Sequence, residues 1–172
     1  MTLSFSTDLN GKPTYFVEKI WKWLYDSDNK DFLYNAYHYE IRYQELIPCQ
    51  YVEAENIHSH KPKLHTIRKD EGNRWKAGNL IHPVINNRTA DRFQFANEFE
   101  CMGTQKFKIT WFECIDDGED ELWEIEVNDR VLNLAECIML AVNDGFEGLT
   151  DFLEYFNRDF DGKIIHWTSL KY

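Results

Sequence analysis

The chain lacks most of the local signatures that announce a chemistry. Its four cysteines, Cys49, Cys101, Cys114 and Cys137, are scattered and form no C-x-x-C pair. Reduced, buried thiols in an intracellular protein are the expected state. No apolar run approaches the length of a membrane span, and the polar stretch from Met1 to Lys12 holds no secretory core. A cytoplasmic location without membrane attachment is expected. There is no phosphate-cradling glycine loop, no Ser-His-Asp order and no nucleophile elbow. Repeats and low-complexity linkers are also missing. Positive charge is scarce: 19 Lys and Arg stand against 30 Asp and Glu, a net charge of −11. Such a chain repels polyphosphate at long range, which excludes a generic nucleic-acid coat.

What is present argues for one folded domain over residues 1 to 172. Hydrophobic residues make up 43% and aromatic residues 16%, enough for a real core at this length. Asn10-Gly11-Lys12-Pro13 reads as a turn. Thr14 can cap a helix whose apolar positions Val17, Ile20, Trp21 and Leu24 follow helical spacing. Glu18 and Lys22 are expected to pair on its surface. Residues 32 to 47 are rich in Tyr and ambiguous; a short helix followed by a strand through Ile41 and Tyr43 is one reading. Residues 1 to 45 thus form a helical extension.

From residue 79 the pattern turns to β. Leu80 to Ile85 is a strand, and residues 98 to 115 form a long strand bent near Cys101-Met102-Gly103. Residues 121 to 127 alternate. Asn133 and Glu136 make a capping box for a helix over about 134 to 143 that stops at Gly145. A second helix runs over about 149 to 157, and Lys163 to Trp167 is the last strand. Strands in the middle and helices near both ends, without βαβ alternation, predict an α+β fold. The bend at glycine favours a mainly antiparallel, partly open β-barrel with flanking helices.

Charge is uneven along the chain. Residues 61 to 76 hold Lys61, Lys63, Arg68, Lys69, Arg74 and Lys76 against Asp70 and Glu71. Residues 113 to 126 hold eight acids and no Lys or Arg. A local basic mouth on an acidic body suits one nucleotide better than a duplex. The acidic stretch is either a solvated hairpin tip or a face for a protein partner.

The basic region contains Lys63-Leu64-His65-Thr66-Ile67-Arg68 and then Arg74-Trp75-Lys76-Ala77-Gly78. In a regular strand Lys63 and Thr66 point to opposite faces. They can share a pocket only if Lys63 sits at the turn entering the strand, which Pro62 favours. This element resembles that of the ASCH domain, a relative of the PUA-like RNA-binding folds. Two further pieces are similar to that family: Ala141-Val142-Asn143-Asp144-Gly145-Phe146, and the closing strand Ile164-Ile165-His166-Trp167. The likeness covers about residues 45 to 167 and implies a PUA-like barrel there. The whole chain is also similar to phage and prophage proteins of this kind, a likeness that brings no activity with it.

The resemblance implies recognition of a nucleobase or modified nucleoside, most naturally within RNA, in a pocket lined by Lys63, Thr66 and Arg68. Some bacterial members are amidohydrolases that remove the acetyl group from N4-acetylcytidine with a Lys, a Thr and an acid; others are reported as nucleic-acid binders or ribonucleases. Lys63 and Thr66 match the first two catalytic residues. Asp144 falls nearest the third, where the family has Glu. A threonine hydroxyl needs an adjacent base, and a lysine serves as one only if its pKa is lowered. Asp144 would shuttle the proton. In a binding module, Arg68, Arg74 or Lys76 would hold a phosphate, and Trp75 or His65 would stack on a base. His58-x-His60 with His65 and Cys49 fits no standard zinc spacing, so no metal or other cofactor is expected. A third class is an acidic interaction protein, phage-derived, that uses residues 113 to 126 to block a nucleic-acid-binding partner.

Overall fold

A computed structural model describes residues 1–47, 57–112 and 122–172. The chain divides into two interleaved units. One holds Met1–Leu64 and Asn79–Glu100; the other holds His65–Gly78 and Cys101–Tyr172. The fold is α+β. Among the described residues, no helix is long and apolar enough to cross a membrane.

In the first unit the helical periodicity near the start does what it predicts. Helix α1 (Phe16–Asp26) buries Val17, Ile20, Trp21 and Leu24, each at most 1% exposed. Its entry differs in detail. Tyr15 takes the cap position with a left-handed backbone, while the Thr14 hydroxyl accepts the Phe16 N–H at 3.3 Å. Glu18 is fully buried and does not meet Lys22 on the surface; Lys22 pairs with Asp26 instead. Helix α2 (Lys30–Leu46) is continuous, which corrects the helix-then-strand reading. Asn29 accepts the Phe32 N–H at 2.9 Å, and Phe32, Ala36 and Tyr43 face inward. Tyr34 and Tyr37 only decorate the outer surface, so the tyrosine-rich composition imitated a strand without supplying one.

The strands of this unit are β1 (Thr2–Ser4), β2 (Asp8–Leu9), β3 (Lys12–Pro13), β5 (Leu80–Ile85), β6 (Phe93–Gln94) and β7 (Phe99–Glu100). β2 and β3 form the hairpin about Asn10-Gly11. β1 runs parallel to β5, with Leu3 opposite Pro83, and β6 and β7 pair antiparallel with β5.

The second unit is an antiparallel sheet with two helices on one face. Its strands β4 (His65–Arg68), β8 (Gly103–Phe112), β9 (Leu122–Val127), β10 (Arg130–Val131) and β11 (Phe160–His166) lie in the order β10-β9-β8-β11-β4. Phe107, Ile109, Ile125, Val127, Ile164 and Ile67 point to the covered face. There they meet Cys137, Leu140 and Ala141 of α3 (Leu134–Asn143) and Phe152 of α4 (Leu149–Tyr155), with Phe156 just beyond it. Both helices match their expected ranges closely. The predicted capping box forms: Asn133 accepts the Glu136 N–H at 3.1 Å and the Glu136 carboxylate accepts the Asn133 N–H at 2.9 Å. At Gly162 a Cβ would stand 2.6 Å from the Arg68 carbonyl oxygen, so only glycine lets β11 approach β4 this closely.

The expected barrel is corrected. Among the described residues the strands form separate sheets, and β4 and β10 end the five-stranded one without closing it. Closure needs those edges to pair with each other. Of the cysteines, Cys101 and Cys137 are buried thiols, while Cys49 and Cys114 lie outside the described residues. The acidic stretch lies there too, except Glu124 and Glu126 on β9; Glu126 pairs with Lys108 at 3.2 Å.

Glu18 yields a pH test. Burial pushes its carboxyl up to about 7; the Tyr43 hydroxyl and Lys19 oppose this without cancelling it. Among the described residues, neither of its oxygens has a hydrogen bond of ordinary geometry. Unfolding frees the carboxyl to ionise near its ordinary 4.5, so this group's contribution is complete below that pH and is lost as pH rises through 7. Glu18→Gln should match the parent near pH 4 and exceed it at pH 8, by on the order of 3 kcal/mol at most. Urea melts at both pH values measure the difference.

Candidate binding site

In the second unit the core sheet continues past its apolar residues into a polar cluster. Strands β4 and β11 pair antiparallel, with His65 opposite His166 and Thr66 opposite Ile165. Alternation sends Ile67 and Ile164 to the helix-covered face, and so His65 and His166 with them. Both imidazoles are 0% exposed, and their ring centres are 5.3 Å apart. On β8, Gln105 has the same parity as Phe107 and Ile109 and is also buried.

Helix α3 supplies the opposite wall. It ends at Asn143, and Gly145 turns the chain with a left-handed backbone, φ 91°. The Phe146 N–H returns to the Ala141 carbonyl at 3.1 Å, closing the helix end. This stop holds Asp144 buried, with its Oδ1 at 3.4 Å from His65 Nδ1.

Tyr172 completes the cluster. Its hydroxyl lies 2.8 Å from His65 Nε2 and accepts a hydrogen bond from Asn143 Nδ2 at 2.9 Å. The Asp144 carboxylate beside Nδ1 favours a proton on that nitrogen, although the 3.4 Å approach is not a formed hydrogen bond; Nε2 then accepts from the phenol. The Tyr172 backbone is held as well: Gln105 Nε2 donates to its carbonyl at 2.9 Å, and Gln105 Oε1 accepts its N–H at 3.1 Å. Burial raises the phenol pKa above its ordinary value, so the hydroxyl remains protonated at neutral pH.

His166 is the group left over. Neither of its ring nitrogens has a hydrogen-bond partner among the described residues. Burial, aided by His65 and Lys171, holds it down to about 3, against a weaker opposing pull from Asp144. It is a neutral imidazole with a donor and an acceptor to offer.

The other sequence-predicted residues are dispersed. Lys63 belongs to the first unit and is 1% exposed; its Nζ sits 4.4 Å over the Phe16 ring, and its N–H donates to the Lys19 carbonyl at 3.0 Å. Thr66 is buried on the face of β4 opposite His65, so alternation turns its hydroxyl away from the side on which His65 meets Asp144. Arg68 is half-buried and Lys76 exposed. Trp75, expected to offer its ring to a base, is only 5% exposed. The cause is Asp70, whose carboxylate accepts the Arg74 and Trp75 N–H groups at 2.9 and 3.0 Å and pairs with Lys163 at 3.1 Å. This folds the loop down. Burial of Asp70 is outweighed by those bonds, and its carboxyl stays below the usual range. In the first unit His60 stacks on Tyr15 and His58 tilts against Tyr25. Among the described residues no cluster could hold a metal ion.

Sequence reasoning missed Gln105, Asn143, His166, Tyr172 and Asp70 as members of these networks. Two had a signal. Gln105 and His166 are polar residues at inward positions of alternating strands, where an apolar residue is the default. No family model, curated protein or solved structure matches the chain.

The neutral state of His166 gives a second pH test. The unfolded chain takes up this proton near 6.5 and the folded chain only near 3. The contribution is therefore full above pH 6.5 and is lost as pH falls towards 3. His166→Phe should flatten the acid limb of stability against pH by as much as several kcal/mol, seen in denaturant melts from pH 7 to 3.

Proposed function

We propose that the chain is an ASCH/PUA-like module that recognises a nucleobase or modified nucleoside, free or within RNA. One observation carries this reading. His65, Asp144 and His166, one from each of the three segments similar to that family, gather in a single buried polar cluster. Buried donors and acceptors discriminate planar heterocycles strongly, because a wrong ligand leaves them unsatisfied. The net charge of −11 supports a small ligand over a polymer. Trp75 has no part in this reading; recognition rests on hydrogen bonds and on the imidazole faces.

Calorimetric or fluorescence titration with cytidine, uridine and short single-stranded RNA at low salt tests it. Modest affinity with a shallow salt dependence is expected, because few phosphates can meet so small a basic region. His65→Ala should lower it roughly tenfold, the loss of one buried hydrogen bond. A folded protein that binds none of these would overturn the reading.

The burial of Lys63 favours a second reading, a hydrolase for N4-acetylcytidine, since a lysine removed from water is the kind that can act as a base. In that case Lys63→Ala should abolish acetate release while the fold is kept. No acetate from the folded parent rejects the substrate while leaving the binding reading in place.

A further inference from the structure

Tyr172 meets its surroundings as a ligand would. Its carbonyl and N–H are gripped by both ends of one carboxamide, Gln105. Its hydroxyl is held between Asn143 and His65, and His65 is turned by Asp144. Its ring stands edge-on to His65, with centres 5.4 Å apart, and tilted to His166 at 6.2 Å. Gln105 is 5% exposed, and a carboxamide on the core face of a strand is costly unless both its ends are paired. Yet the residue that pairs it lies on a segment outside the strands and helices. That segment can leave without breaking the sheet.

We propose that Tyr172 is an internal occupant of a lactam-reading site. When it withdraws, Gln105, Asn143 and His65 face a vacated space with the donor and acceptor pattern that a planar ring amide satisfies. Gln105, which pairs with the Tyr172 N–H and oxygen on either side of its Cα, turns its two ends to the shorter N–H and C=O edge of the ligand. Asn143 donates to a second ligand oxygen in place of the phenol, and His65 Nε2 accepts a ligand N–H or O–H. His166, fully buried with both nitrogens unpartnered among the described residues, can add a bond that Tyr172 does not supply. The preferred ligand is a pyrimidine with an imide or lactam edge. The inference rests on the nucleobase reading above and adds its gate and its specificity residues. Occupancy by Tyr172 lowers apparent affinity by the fraction of time the site is filled.

The test uses the full chain with uridine as probe, by calorimetry, on the parent, Tyr172→Ala, Tyr172→Phe and the double variant Tyr172→Ala, Gln105→Leu. Folding is checked by near-UV circular dichroism. If Tyr172 is seated about 90% of the time, Tyr172→Ala should bind uridine roughly tenfold more tightly than the parent. Tyr172→Phe, which loses the two hydroxyl bonds but keeps the backbone ones, should fall between them. The double variant should lose the gain. Should Tyr172→Ala fail to fold, the parent answers instead: saturating uridine should speed amide exchange at the Tyr172 N–H, which loses Gln105. Parent and folded Tyr172→Ala binding uridine equally, or Tyr172 staying protected with uridine bound, overturns the gate and leaves nucleobase binding intact. No binding by any folded variant overturns both.

Discussion

Strand β11 sits between β8 and β4 and pairs with both, and the second unit depends on that double pairing. Ile164 and His166 face the helices because their parity is shared with Phe107 and Gln105 on one side and with Ile67 and His65 on the other. A slip of β11 by one residue would turn Ile164 and His166 to the opposite face and bring Lys163 to the helix-covered one. The apolar part of this face, with α3 and α4 upon it, resists such a slip. The polar cluster is therefore positioned by the hydrophobic residues beside it on the same face.

Burying polar groups has a consequence for each unit. Glu18 in the first and His166 in the second are kept from water in their neutral forms, and unfolding releases them in opposite directions of pH. Such groups destabilise a fold unless something else needs them, and cores otherwise exclude them. In the second unit Gln105, Asn143 and His65 Nε2 are joined to Tyr172 by directed bonds, Asp144 lies beside His65 Nδ1, and His166 stands at their edge. In the first unit Lys19 of α1, Tyr43 of α2 and Lys63, which lies outside the helices and strands, are buried as well.

Asp70 shows how one carboxylate changes what a loop can do. A tryptophan flanked by Arg74 and Lys76 reads as an exposed platform. Two backbone bonds and a lysine on one acid turn it inward, and the positive charges remain outside. The family resemblance singled out this stretch of chain, but the stacking role expected of Trp75 does not fit its burial. The residue next to the expected threonine, His65, is the one that meets Asp144.

By itself the sequence determined the features that short-range rules govern. The amphipathic spacing of α1, the capping box and glycine stop of α3, the α+β class and the break before β8 are all written within a few residues of where they act. It could not determine α2, because its tyrosines have strand propensity and only burial of Phe32, Ala36 and Tyr43 decides for a helix. Nor could it determine barrel closure, which depends on whether edge strands far apart in sequence meet. The site was legible as three segments and not as side chains. Which of Lys63, His65, Thr66 and Arg68 faces Asp144 is a question of strand parity and register, and Tyr172 lies 107 residues from the histidine it binds. Only tertiary structure decides such partners, because the hydrogen bonds that select them form after the sheet has aligned.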